Sequence, residues 1–281
     1  MSLPHFFLDE QIIASYDHAT DGCWGVFALE LSSEDIKHAK AMRLGVGEHI
    51  AVIDAAQDYF ECEVVAFSAD QGLMVRIAQH LDATPRPSIV LFQGIAKGEK
   101  MDLIIRHATE VGVSRFVPLK TERCIVKMDD KKARSRVERW KAIAKSACMQ
   151  SGRSDRALVD MPYSVRELAQ ATELLSLLDV LLICWEEAPG TAHLAQALLA
   201  CKTASPSTTA TTAFAGSCKA SFPCVGVVVG PEGGLTNSEV DALLTAHNNA
   251  HLVSLGSSIL RTETAGIVAP ALVMYELERN A

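Results

Sequence analysis

The 281-residue chain lacks the signatures of several common chemistries. No GxGxxG opens a strand–helix unit, and the nearest spacing, Gly45-Val-Gly47, lies in the N-terminal part, which disfavours a Rossmann oxidoreductase. GxxxxGK[ST], GxSxG and HExxH are also missing, which removes support for a P-loop, a nucleophile elbow and a zincin site. Eight cysteines form no CxxC pair and nine histidines are dispersed, so reduced, mostly buried thiols and no metal site are expected. Only 10 prolines, with 49% hydrophobic and 21% charged residues, exclude a collagen-like, mucin-like or wholly disordered chain. Long apolar runs are missing too. The most apolar stretch, Leu174 to Trp185, carries Asp179 and falls well short of the roughly 20 residues that cross a bilayer. The opening MSLPHFFLDE has no basic n-region and no lipidation motif, so a cytoplasmic protein is expected.

The formal charge of −8 argues against a polyanionic partner, but charge is segregated along the chain. Residues 97–156 hold 16 Lys and Arg against 8 Asp and Glu, leaving 10 against 26 elsewhere. Solvated helix faces explain such a run, and so does a phosphate-facing surface. Density around Lys131, Lys132, Arg134, Arg136, Arg139, Lys141 and Lys145 motivates the second reading.

Residues 1 to about 80 alternate as short strands, Gly47–Ala55, Tyr59–Phe67 and Gly72–Gln79, preceded by a helix opening at Ser32 and ending near Gly45. A small β-barrel is expected. The two prolines between Asp82 and Ser88 predict a linker, dividing the chain into 1–82 and 83–281. Beyond it, strands at 88–96, 114–119, 180–185, 225–229 and 251–255 alternate with helices. These helices run through Met101–Val111, Val137–Ala147, Val165–Leu175, from Thr236, and from Leu260 through Tyr275. The Ser/Thr/Ala-rich tract 202–221 resembles a mobile insertion without chemistry. Strand–helix repetition implies a mostly parallel sheet covered on both faces, an α/β class.

In such sheets ligands sit beyond the carboxyl ends of the strands. Two segments fit. Gly230-Pro-Glu-Gly-Gly-Leu235 is a tight loop with Glu232 as its only charge, and Leu255-Gly256 through Ala265 carries Arg261 and Glu263 among apolar neighbours.

With these loops the chain resembles the RsmE-type rRNA uridine-N3 methyltransferases of the SPOUT (trefoil-knot) superfamily. Four groups match in order. They are His38–Gly45; Lys97–Met101 with Glu110–Val113; Glu122–Cys124 through Gln150–Arg153; and the two C-terminal loops with GPEGGL and LRTETA. The resemblance implies a PUA-like N-terminal β-barrel, a C-terminal α/β knot that binds S-adenosylmethionine, and a homodimer. It implies methylation of N3 of uridine 1498 (nucleotide numbering) in the 16S rRNA of the small ribosomal subunit. Gly230, Glu232, Gly233, Leu255, Gly256, Ile259, Leu260, Thr262 and Thr264 are the implied cofactor residues. The implied RNA-facing cations are Arg43, Lys97, Lys100, Arg123, Lys131, Arg139 and Arg153, with the N-terminal barrel also holding flanking phosphates. The chain departs from the family pattern with Met149 before Gln150, with Ser257 and Ser258, and with His5.

Uridine N3–H must lose its proton, and the developing negative charge spreads over O2 and O4, where a cation stabilises it. Arg261 is the expected cation, with Arg153, from this or the partner subunit, as the alternative. Glu232 and Glu263 are candidate proton acceptors or orienters of Arg261. Because N3 is on the pairing edge, the base must be unpaired or flipped. Two rival readings remain: a knotted enzyme acting on a ribose 2′-oxygen, and an RNA-binding ribosome-assembly factor with a vestigial pocket.

Overall fold

A computed structural model describes residues 3–12, 25–68, 72–83, 86–126, 128–185, 192–201 and 222–279. The 202–221 tract lies outside them. The chain divides into two compact units, Met1–Thr84 with Cys148–Arg156, and Pro85–Ala147 with Ala157–Ala281. A single cut at 82/83 therefore misses one feature. The Cys148–Arg156 segment belongs with the first unit, where Arg156 Nη1 meets Asp9 Oδ1 at 2.6 Å.

The first unit contains β1 (His5–Phe7), β2 (Val26–Leu29), α1 (Ser33–Ala41), β3 (His49–Ile53), β4 (Tyr59–Ser68) and β5 (Gly72–Leu81). Alternation along β4 and β5 buries Phe60, Cys62, Val64, Leu73, Val75 and Ile77 on one face. The strand order is β1-β3-β4-β5-β2, with β1 parallel to β3 and the other pairs antiparallel. Among the described residues this path is a five-stranded mixed sheet. Helix α1 opens with a capping box in which Ser32 and Asp35 satisfy each other's backbone amides. It ends earlier than Gly45, because Arg43 takes the left-handed turn at φ 55°.

The second unit holds β6 (Ser88–Gly94), α2 (Lys100–Glu110), β7 (Arg115–Lys120) and most of α3 (Asp130–Ser151). It continues with β8 (Leu158–Val159), β9 (Tyr163–Ser164), α4 (Val165–Gln170), α5 (Thr172–Leu175) and β10 (Val180–Cys184). It closes with β11 (Ala192–His193), α6 (Leu194–Cys201), β12 (Cys224–Val229), α7 (Asn237–Ala246), β13 (Ala250–Ser254) and α8 (Thr262–Arg279). The strand order β11-β13-β10-β12-β6-β7-β8, with β9 also on β7, is parallel throughout. The single helix expected over Val165–Leu175 is two, broken at Ala171, whose ψ of 65° leaves the helical range.

The central strands β6 and β12 read as continuous apolar runs because both faces are covered. Leu168, Leu174, Leu175, Val240 and Leu243 from α4, α5 and α7 pack into one core cluster with Val90, Phe92, Leu181 and Val228. Helices α2, α6 and α8 pack together away from that cluster, α8 lying on β6 and β12. The α/β expectation stands, with a parallel sheet covered by helices in the second unit. No helix among the described residues is long and apolar enough to cross a membrane.

Gly226 in β12 shows how tightly the core is filled. A Cβ there would stand 2.7 Å from Leu178 Cδ1, 2.8 Å from Leu181 Cδ1 and 3.1 Å from Phe92 Cε2. Gly226→Ala should cost about 1–3 kcal/mol by overpacking, measured by urea denaturation; an unchanged midpoint would show that the core yields.

Candidate active site

Because every strand of the second sheet runs the same way, the carboxyl ends of β6, β10, β12 and β13 fall on one edge. Loops leaving β12 and β13 there enclose a cavity of about 510 Å³. Its wall includes Gly230–Glu232, Gly234 and Leu235 from the first loop and the continuous run Ser254–Glu263 from the second. Cys184 and Trp185 at the end of β10, and Lys100 at the start of α2, complete it.

A buried polar knot joins the two loops. Thr262 Oγ1, at the first residue of α8, donates to the Gly230 carbonyl at 2.6 Å and accepts from Gln93 Nε2 at 3.0 Å. Gln93 Nε2 also donates to the Gly94 carbonyl at 3.0 Å. Residue 94 must be glycine, since a Cβ there would sit 2.3 Å from the nitrogen of Pro231. On the far side, Thr236 and Glu239 form the expected capping box of α7, and buried Glu239 also accepts the Glu122 N–H at 2.8 Å. Thr262 is only 6% exposed, so its hydroxyl serves the frame of the cavity.

A second, more exposed junction is ionic. Lys100 Nζ stands 3.1 Å from Glu232 Oε1 and 3.0 Å from Glu263 Oε2, and Glu232 Oε1 also accepts the Lys97 N–H at 3.0 Å. Bonds to Glu263 and then Glu232 raise the Lys100 ammonium above the usual lysine range. Burial works against the Glu232 carboxylate, yet the Lys97 amide and Lys100 outweigh it and hold it below the ordinary range. Glu263 is lowered first by its own backbone N–H at the start of α8 and next by Lys100.

Of the sequence-predicted residues, Gly230, Glu232, Leu255, Gly256, Ile259, Leu260, Arg261, Thr262 and Glu263 all line the cavity. Gly233 and Thr264 are outside its wall. Gly233 is needed for another reason: a Cβ would meet Arg123 Cβ at 2.9 Å, and the Gly233 carbonyl accepts from Arg123 Nη1 at 3.2 Å. Arg123 thus braces the loop. Lys100 is on the cavity wall, bound to two glutamates, where an RNA-facing cation had been expected.

Arg153 departs furthest from expectation. It is 2% exposed in the first unit, absent from the cavity wall, and forked onto Asp155 through Nε at 3.0 Å and through Nη2. Burial opposes its charge, but Asp155 more than compensates and keeps the guanidinium raised above the usual arginine range. A buried, paired guanidinium is part of the fold and not a free cation for phosphate or substrate. On α3, Lys131 and Arg134 are exposed, while Arg139 meets Asp102 Oδ2 at 2.5 Å and Trp140 Nε1 donates to Asp102 Oδ1 at 3.1 Å. Arg43 and Lys97 are exposed. Gln93 and Trp185 were missed as site residues. The polar side chain that interrupts the apolar run Ile-Val-Leu-Phe-Gln was the signal for Gln93. Among the described residues, no group of three or more His, Cys, Asp or Glu could hold a metal ion.

Known proteins are similar to this chain. Residues 84–274 match the RNA methyltransferase domain family. The ribosomal RNA small subunit methyltransferase E of Bacillus subtilis (strain 168) is 31% identical over 254 residues, 89% of this chain and 91% of that protein. Its namesake in Mycobacterium bovis is 30% identical over 87% of this chain and 85% of that protein. In fold, the chain is similar to the crystal structure of ribosomal RNA small subunit methyltransferase E from Neisseria gonorrhoeae bound to S-adenosyl methionine. The TM-score is 0.71 at 24% identity, with 97% of each chain covered. With its domain match and curated relatives along most of its length, the chain belongs to the ribosomal RNA small subunit methyltransferase E family.

Proposed function

We propose that the protein methylates N3 of a uridine in the 16S rRNA of the small ribosomal subunit, uridine 1498, with S-adenosylmethionine as donor. The observation that carries this reading is the single cavity built from both C-terminal loops. Its volume of about 510 Å³ falls within the range typical of small-molecule sites. Among the described residues, the main-chain N–H and C=O groups of Ile259 and Leu260 have no hydrogen-bond partner. Such groups suit a purine edge, and the apolar side chains of Leu255, Leu260 and Val229 suit its faces. The donor supplies an electrophilic methyl group on a sulfonium. Everything else in the reaction is positioning and charge.

Arg261 supplies the charge. Its carbonyl is tied into the first turn of α8 by the Ala265 N–H at 2.8 Å, while its side chain is exposed at the cavity wall. A guanidinium there stabilises the anion spreading over O2 and O4 as the N3 proton leaves. Glu232 and Glu263 are orienters and not the base. Both carboxylates are held below the ordinary range by their bonds and are bound to Lys100, so they are poor proton acceptors. The N3 proton passes to solvent.

The phosphates fall to the exposed cations of α3. The first 84 residues hold only 4 Lys and Arg against 14 Asp and Glu, so the N-terminal unit is a poor phosphate binder despite the expectation for it. We assign dimerisation to the outer face of the α2/α8 pair, where Leu103, Leu272 and Tyr275 are 41%, 39% and 62% exposed. A second copy covering them fits a homodimer.

Three outcomes follow. Arg261→Ala should lower methylation of small subunits from a strain lacking the modification by about 10²–10³-fold, with donor binding by calorimetry retained. Full activity would remove Arg261 from catalysis. Lys131→Glu with Arg134→Glu should weaken RNA binding and reduce the slope of log K against log salt by roughly 0.7–0.9 per lost contact, leaving donor affinity alone. Leu272→Asp with Tyr275→Asp should give monomers by light scattering; an unchanged mass would place the interface elsewhere.

A further inference from the structure

Lys100 occupies a position that the helix alone does not explain. It is the first residue of α2, where the aligned peptide dipoles present positive charge and a cation is disfavoured. The preceding residue, Glu99, makes no side-chain capping bond, and the acidic residue of the first turn, Asp102, is engaged by Arg139 and Trp140. The ammonium instead reaches two carboxylates from two different loops, Glu232 after β12 and Glu263 at the start of α8. Those loops form parts of one cavity wall, and Lys100 is itself part of that wall.

Without the ammonium, Glu232 and Glu263 would be like charges sharing one site, and their repulsion would push the loops apart. We infer that Lys100 is a positioning residue that fastens the two loops together, so that the donor cavity has its binding shape before the ligand arrives. This rests on the methyltransferase reading above. Each ion pair is partly exposed, with side-chain exposures of 35%, 27% and 19% for Lys100, Glu232 and Glu263, so neither contributes much to stability. The value of the arrangement is geometric. Ordering two loops in advance removes that cost from ligand binding, so loss of the fastening falls on donor affinity more than on the chemical step.

The test compares wild type, Lys100→Met and Lys100→Arg by calorimetry with S-adenosylmethionine and by steady-state kinetics on unmodified small subunits. Lys100→Met should raise the donor Kd and KM by about tenfold or more, with a much smaller change in kcat. Lys100→Arg, which can bridge two carboxylates, should restore most of the affinity. Glu263→Gln keeps the side-chain shape and should also weaken donor binding, with an effect that does not add to that of Lys100→Met. If Lys100→Met fails to fold, Lys100→Arg and Glu263→Gln carry the same comparison. A wild-type protein that does not bind the donor would sink the methyltransferase reading itself. Wild-type binding matched by Lys100→Met, or by Glu263→Gln where Lys100→Met does not fold, would overturn the role of Lys100 alone.

Discussion

The bond from Thr262 Oγ1 to the Gly230 carbonyl, backed by Gln93, is the contact on which the cavity depends. Gly230 follows β12, Thr262 begins α8 after β13, and Gln93 is the penultimate residue of β6. Three segments far apart in sequence are therefore fixed at one buried point. A hydroxyl suits this point because it donates and accepts at once, bonding a carbonyl on one side and an amide nitrogen on the other. Once the point is fixed, the wall from Ser254 to Arg261 is spanned between β13 and α8, and at Ile259 and Leu260 no main-chain hydrogen bond closes it among the described residues.

Around this neutral, buried point the charges divide by exposure. Lys100, Glu232 and Glu263 are partly exposed and mutually paired, so they hold geometry and carry little reactive charge. Arg261 is exposed, lines the cavity, and is tied into the first turn of α8 through its carbonyl. Lys131 and Arg134 on α3 are exposed, and the proposed contact with phosphates rests on them. The formal charge of −8 averages over these roles and over an acidic N-terminal unit, which is why it says so little about the partner.

Much of this was legible in the sequence, for identifiable reasons. Strand–helix alternation after residue 88 announced a parallel sheet, and the rule placing ligands at carboxyl ends singled out both loops. Capping chemistry located α7, because Thr236 and Glu239 act within one turn. What failed to appear were facts about partners. Arg153 looked like a free cation in a basic run, and only the fold reveals Asp155 and a buried setting. Lys100 looked like its basic neighbours until Glu232 and Glu263 arrived from more than a hundred residues away. Gly233 fits a glycine-rich ligand loop equally well as a ligand contact or as room for Arg123, and local sequence cannot separate the two. The short strands β1 and β2 of the N-terminal sheet were hidden similarly, since they are three and four residues long and offer almost no alternation.

Gln93 shows the energetic tension beneath the site. It follows the apolar run Ile-Val-Leu-Phe in its strand, is 1% exposed, and its Oε1 has no hydrogen-bond partner among the described residues. An open buried acceptor is costly, and a Leu or Val in its place would suit the strand better in isolation. That substitution would leave the Thr262 hydroxyl with an acceptor and no donor, and the start of α8 with one tether instead of two. The same oxygen lies 2.4 Å from where a Cβ on Gly266 would stand, so α8 can approach β6 closely only because residue 266 has no side chain. Stability is given up at one strand position, and side-chain volume at one helix position, to bring α8 close enough for Thr262 to reach Gly230. The cavity is thus a product of local compromise in the core, and the glycine and the glutamine make sense only together.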